Sequence, residues 1–299
     1  MTWLFLALLA PALDTIVSFV DKYVVEHKLK DSYSIPVYSG ITALCIGTLV
    51  WLIFGMPTMT ARDSFIFLLS GAIFMWANAL FFHAIAKSQT SYIIALLQAS
   101  PLFVLILSAV LLHEHLSITQ VAGFMFVLVA VLGLSIDRVE RKVRLSVSFY
   151  QIMAANTLYA ASSVLIKYAD KGHGLTPVLV FGSWGSVLGA LILLLIFKKI
   201  KNAFLSTFRE AGRSTLGIMF LNDSLSSLSQ AVFFLAITLG PVALVSVLMG
   251  TQVFYGIVAG VVLTLFLPKI FHEDIARRDI AMKLAMSLIL FIGVWCISA

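Results

Sequence analysis

Residues 79–98, ALFFHAIAKSQTSYIIALLQ, align without a gap on residues 231–250, AVFFLAITLGPVALVSVLMG, at an offset of 152. A second echo lies nearer each half's start, where DKYVVEHKLKDSYSIP from Asp21 and IKYADKGHGLTP from Ile166 pair Lys22-Tyr23 with Lys167-Tyr168. Self-similarity at a fixed spacing means one structural unit written twice. Composition says what kind of unit it is. The chain is 61% hydrophobic and only 11% charged, with a mean hydropathy of +1.05. No soluble core can bury that much apolar surface, so lipid must cover it.

Apolar runs of about 18–25 residues, each enough to cross about 30 Å of hydrocarbon, recur ten times. They lie near 3–21, 33–54, 64–86, 90–112, 117–136, 149–168, 177–197, 215–238, 242–266 and 280–298. Helices are expected because a chain in lipid must satisfy its own backbone, and the alternation of a barrel strand is absent. The first run has no basic residue before it and is read as a membrane helix rather than a cleaved leader. The repeat then divides the chain into residues 1–140 and 141–299, five helices each. Since five is odd, the second set enters from the opposite face. The expected fold is an all-α membrane protein, ten transmembrane helices as two inverted five-helix repeats.

Of the 20 Lys and Arg residues, 17 fall in the odd-numbered loops, leaving Arg62, Lys167 and Lys171 on the other side. By the positive-inside rule both termini face outward from the cell membrane. The net charge of +6 therefore reads as membrane-flanking charge, with no aromatic platform for nucleic acid. Cys45 and Cys296 sit in apolar runs and set up no disulfide framework.

The eighth run is interrupted by FLNDSLSSLSQ, Phe220 to Gln230. Among 14 acidic residues, twelve fall in loops or at helix ends, leaving Asp14 and Asp223 inside apolar runs. A charge near the bilayer centre costs at least about 2.5–3.5 kcal/mol, so such groups face a bundle interior or water. On a helix, Asp223, Ser227 and Gln230 share one face, with Asn222 on the face beside it. The alternative for this stripe is interhelical glue. In the first run Asp14, Ser18 and Asp21 follow the same spacing; Asp14 lies near the midplane, and Asp21 reads as a solvated helix end. Gln98 beside Pro101, and Gln252 after Gly250, mark mid-helix polar positions where a proline or glycine permits a kink. Asn156 and Tyr159 add a polar face in the sixth run. Trp76, Trp184 and Tyr92 are candidates for stacking on a substrate.

His113-Glu114-His115 has the wrong spacing for a metalloprotease helix, and no further Cys or His completes a metal site. Neither a phosphate-binding loop nor a nucleophile elbow is present, so no nucleotide-driven pump or serine hydrolase is expected. No metal or cofactor is expected.

LLQASPLFVLILSAVLLHEHLSITQVAGFMFVLVAVLGLSI, from Leu96, resembles the end of an EamA-type repeat of the drug/metabolite transporter superfamily. The resemblance rests on Pro101, Glu114, Gly123 and Gly133, and on a ten-helix, five-plus-five pattern that covers the chain. The second half departs from it: Val253 stands where Pro101 would repeat, and Glu273, the counterpart of Glu114, follows a linker longer by seven residues. Termini in that superfamily generally lie in the cytoplasm, opposite to the charge count here. The resemblance implies a secondary transporter of small metabolites or drugs, commonly an exporter, working by alternating access and not an enzyme.

The residues suit this role. Asp223 and Asp14 would pair with a cationic or zwitterionic substrate or exchange a proton with it, while Gln98, Gln252, Asn222, Gln230, Ser227, Asn156 and Tyr159 would bind its polar groups. Partners are a small-molecule substrate and membrane lipids; oligomeric state is open. The alternatives are a flippase for a lipid-linked sugar or other amphipath, an intramembrane enzyme on His113, Glu114 and Asp223, and a membrane protein without flux.

Overall fold

The computed structural model describes residues 2–27, 32–85, 87, 93, 96–136, 147–210, 212–266 and 277–298, and these form helices with no strand among them. The chain runs through α1 (Thr2–His27), α2 (Ile35–Phe54), α3 (Ala61–Ile85), α4 (Ser100–Leu111), α5 (Ile118–Ile136) and α6 (Val147–Asp170). It continues through α7 (Leu175–Ile196), α8 (Lys198–Glu210), α9 (Arg213–Leu239), α10 (Val242–Met249), α11 (Gln252–Phe266) and α12 (Arg277–Ser298). A π turn at Val178–Gly182 interrupts α7 near its start. Tyr92 and Glu273 lie outside the described residues.

Local chemistry sets several ends. α2 starts with a proline in its first turn, where the missing N–H costs nothing. It stops at Gly55, whose positive φ of 80° accompanies an N–H bond to the Trp51 carbonyl at 2.8 Å. Thr60 accepts the Asp63 N–H at 3.1 Å to open α3. Ser117 and Gln120 bond each other's backbone N–H to open α5. α8 is different in kind: Ile200, Ala203 and Thr207 are buried, Leu205 and Phe208 are exposed, and Lys198, Lys199, Lys201 and Arg209 surround them. That is an amphipathic helix lying along the bundle.

Among the described residues, six segments are long and apolar enough to cross a membrane: Thr2–Asp21, Ile35–Phe54, Ala61–Ala84, Leu175–Ile196, Arg213–Leu239 and Val242–Gly260. Ser100–Leu111, Ile118–Gly133 and Ala285–Ile297 are shorter apolar helices. Thus the protein is a multi-pass, all-helical membrane protein, and its described residues supply six full-length apolar spans where ten runs were expected. The differences have physical reasons. The fourth run turns at Gln98 and Ala99, so α4 is only 12 residues long. α6 has the length, 24 residues, but carries Gln151, Asn156, Thr157, Ser162, Ser163 and Lys167.

The principal packing pairs are α3 with α6, α5 with α12, α1 with α9, α3 and α2 with α7, α4 with α6, and α10 with α4. α10 is buried at every residue from Val242 to Leu248. Small residues allow the closest crossings, as expected where lipid supplies no hydrophobic drive. Gly71 of α3 meets the backbone of α7 at Gly182, and Gly185 of α7 meets the backbone of α3 at Leu68. Gly123 and Gly293 face each other where α5 crosses α12, each 2.7–2.9 Å from the other's carbonyl once a methyl is added.

Leu at Gly71 or Gly185 should force α3 from α7 at a cost of about 1–3 kcal/mol or more. Thermal unfolding should show a clear fall in Tm for both variants and none for Gly217→Ala, whose position faces open space. Equal Tm values for all three would contradict the crossing.

Candidate functional site

The polar groups of α9 turn toward α1 and α2. Asp223 accepts from Ser39 Oγ at 3.0 Å through Oδ1. Its Oδ2 lies 3.3 Å from Thr42 Oγ1, whose single proton the Tyr38 carbonyl, also at 3.3 Å, can take instead. Two hydroxyls, one of them shared, are therefore what holds this carboxylate. Beside it Asn222, 6% exposed, donates Nδ2 to Asp21 Oδ1 at 2.7 Å, while its Oδ1 has no partner. Ser229 donates to the Ala10 carbonyl at 2.9 Å, one turn of α1 before Asp14. Asp21 thus stands at Asn222, the residue before Asp223, while Asp14 lies two turns back along α1. All three carboxyls are half-buried along the α1–α9 seam.

Gln252 joins this group, donating Nε2 to Ser18 Oγ at 2.9 Å. Ser227 turns back instead, its hydroxyl on the Asp223 carbonyl at 2.8 Å, and so serves its own helix. Gln230 is half-buried one turn further along α9.

The other expected residues gather elsewhere. Tyr159 of α6 donates to Asn78 Oδ1 of α3 at 2.8 Å. Asn156, fully buried, donates Nδ2 to the Leu96 carbonyl at 3.0 Å and leaves its Oδ1 unpaired. Gln98 sits half-buried in the turn that follows Leu96. Asn156, Tyr159 and Gln98 therefore surround the α3–α6 seam and the start of α4, apart from the carboxyls. Trp184 packs edge-on to Trp51 at 5.8 Å, an aromatic contact within the helices rather than a free platform.

Two helix breaks stand at matching positions. In the first, Ala99 N bonds Leu96 O at 3.2 Å; in the second, Thr251 N bonds Leu248 O at 3.0 Å. Each pair lies 152 residues from the other, the same offset as the sequence repeat. Pro101, with no N–H, begins α4 in one case. In the other Val253 occupies the proline's place and gives its N–H to Gly250 O at 3.1 Å, an i to i+3 bond that tightens the turn. Gly250 fits closely there, since a methyl would touch both Val131 Cγ atoms at 3.0 Å.

Charges cluster at the end bearing the even-numbered loops. Lys171 pairs with Asp63 at 2.9 Å, and Arg62 donates to the Tyr168 hydroxyl at 2.9 Å. Lys167 caps the end of α9, donating to the Thr238 and Gly240 carbonyls at 3.0 and 3.1 Å. Glu114 accepts the Val242 N–H at 3.1 Å, placing its charge at the start of α10. His113-Glu114-His115 is thereby a loop whose acid caps a helix; among the described residues no cluster is able to hold a metal.

Several partners escaped the sequence reading. Asp21, read as solvated, is half-buried and bonded to Asn222. Ser39 and Thr42 are two hydroxyls among many, with no periodicity to single them out. Asn78 did have a signal, since it stands 152 residues before Gln230.

Residues 1–136 match the family described as EamA-like transporter family. The resemblance seen from Leu96 to Ile136 is thereby borne out, and the match is to a family of membrane transporters. No curated protein matches the chain in sequence. A solved crystal structure shares its fold, with a TM-score of 0.73 at 14% identity, over 99% of this chain and 95% of that one. At that identity the likeness concerns fold alone.

Glu114→Gln keeps the shape but removes the charge from the start of α10, so a loss of about 1 kcal/mol is expected. The check is Tm by scanning fluorimetry, where a fall of a few degrees is expected; an unchanged Tm would remove the charge from the account.

Proposed function

From the EamA-like match over residues 1–136, we propose a secondary active transporter that moves a small cationic or zwitterionic metabolite out of the cell by alternating access, coupled to protons. The observation that carries this reading is the α1–α9 seam, along which Asp14, Asp21 and Asp223 stand half-buried in an apolar bundle. Carboxyl groups in a membrane are too costly to keep without work to do. A bound cation and a proton compete for the same oxygens, which links their movements. The cell membrane, with both termini outside, completes the proposal.

The repeat architecture belongs to it. Exchanging each helix for its counterpart turns the pair α1–α9 into α6–α3, while α2–α7 and α5–α12 map onto themselves. These packing pairs, and the two matched breaks, support ten spans arranged as two inverted repeats, 1–140 and 141–299. Broken helices meeting near a midplane site are the usual construction of such carriers. In this reading the ion pairs at the even-loop end join the repeats and must part when the site opens there, because Asp63 belongs to one repeat and Lys171 to the other.

An amphipathic substrate has one observation in its favour. An apolar crevice of about 400 Å³ is lined by Leu44, Thr48, Leu68, Trp184, Val187 and Leu188, of which Leu44 and Leu188 are exposed. Binding of lipid-linked sugars rather than soluble amines would favour it.

The central test is flux in proteoliposomes under an imposed pH gradient, across amino acids, amines and quaternary ammonium compounds, with wild type beside Asp223→Asn. Flux that needs both the gradient and Asp223 is expected; equal flux in the variant would exclude its role. Reversing the end pair offers a separate check. Asp63→Lys or Lys171→Asp alone should change flux about two- to fivefold, as befits a pair whose lysine is half-exposed while its aspartate is buried, and the combined reversal should recover it. Recovery failing, with both variants folded, would separate that pair from gating.

A further inference from the structure

We infer that the outward stripe of α8 is a docking face for anionic phospholipid, with its lysines on the phosphate groups and its apolar residues in the acyl boundary of the same leaflet. The inference does not depend on which substrate the chain carries.

α8 carries two stripes. Ile200, Ala203 and Thr207, spaced i, i+3, i+7, form the buried one. Ile200 packs with Val37 and Leu193, the Phe204 ring lies 5.1 Å from that of Tyr38, and Thr207 donates to Ser34 Oγ at 3.2 Å. Ser34, Val37 and Tyr38 stand where α2 begins, and Leu193 where α7 ends; α9 starts at Arg213, just beyond α8. The helix is thereby pinned at the level where three spans leave the hydrocarbon, which is the level of the headgroups.

Lys198, Lys201, Leu205 and Phe208, spaced i, i+3, i+7, i+10, form the second stripe, and all four are exposed, Phe208 at 61%. An interfacial helix ordinarily turns its apolar side to lipid. Here the bundle already covers that side, so Leu205 and Phe208 are a further apolar set, placed among cations. Water alone suits the lysines and not the phenylalanine; an apolar protein partner suits the phenylalanine and not the lysines. A phospholipid surface suits both, since lysine stems reach up to phosphate while Leu205 and Phe208 enter the acyl boundary. Charge complementarity makes the lipid anionic. Residues 198–213 hold five Lys and Arg against Glu210, and among the described residues no carboxylate is paired with Lys198 or Lys201. Lys199 turns the other way, its ammonium 3.9 Å over the Tyr33 ring, and so fastens the helix instead. In the orientation proposed above, α8 lies on the cytoplasmic side, whose leaflet carries the anionic lipid.

Native mass spectrometry of the purified full chain in an uncharged detergent, titrated with dioleoyl phosphatidylglycerol or dioleoyl phosphatidylcholine, tests this in either orientation. Wild type should bind the anionic lipid about tenfold more tightly, the effect of two surface lysines. Lys198→Gln with Lys201→Gln should bring that ratio close to one, whereas Arg141→Gln with Lys142→Gln, which removes equal charge elsewhere in the chain, should leave it unchanged. Phe208→Ser should weaken binding of both lipids, and glycerol 3-phosphate, an anion without acyl chains, should not displace phosphatidylglycerol at equal concentration. A wild-type ratio near one, or equal losses in the two double variants, overturns the face as a lipid site. Displacement by glycerol 3-phosphate would make it a site for a soluble anion. A dimer present in wild type and lost in Phe208→Ser would give the face to a second copy of the chain; either result overturns the lipid assignment.

Discussion

Lipid offers no hydrogen bonds, so every polar group inside the bundle has to find its partner on another helix or on its own backbone. That constraint decides which helices pair. Ser229 reaches the Ala10 carbonyl and ties α9 to α1; Ser162 reaches the Ser70 carbonyl and ties α6 to α3. Ser186 does the same between α7 and α3 through the Gly71 carbonyl. Each bond requires backbones close enough for a short side chain to cross, and at the α3–α7 crossing Gly71 and Gly185 make that possible. Polar satisfaction and close packing are thus one requirement seen twice.

The two seams meet it with different chemistry. Along α3–α6 the partners are neutral, Tyr159 with Asn78, and Asn156 with a carbonyl. Along α1–α9 they are carboxyls held by hydroxyls and one amide. The two seams therefore differ in charge. Each seam leaves one buried amide oxygen unpaired, Asn156 Oδ1 in the first and Asn222 Oδ1 in the second, but only the second has carboxyls among its partners.

The matched helix breaks show how geometry outlasts sequence. Pro101 ends one helical ladder by removing a donor, whereas the second break at Gly250 and Thr251 keeps every N–H and turns by i to i+3 bonds. The local cause differs, and the register is the same to the residue. Thr251 Oγ1 is left buried without a partner at that break.

Composition and run length by themselves determined that the chain is helical and lies in a membrane, because covering apolar surface and closing backbone bonds admit few solutions. The sequence also determined which polar residues share a helix face: Asp14, Ser18 and Asp21 on α1, and Asp223, Ser227 and Gln230 on α9. Periodicity says nothing about what stands opposite. Only the tertiary structure decided that Asn222 would face Asp21, that Ser39 and Thr42 would hold Asp223, that Ser227 would turn inward on its own helix, and that Glu114 would cap α10. Interhelical register is set by how side chains and glycines interlock along the whole crossing, and one polar residue carries too little of that information to be read alone.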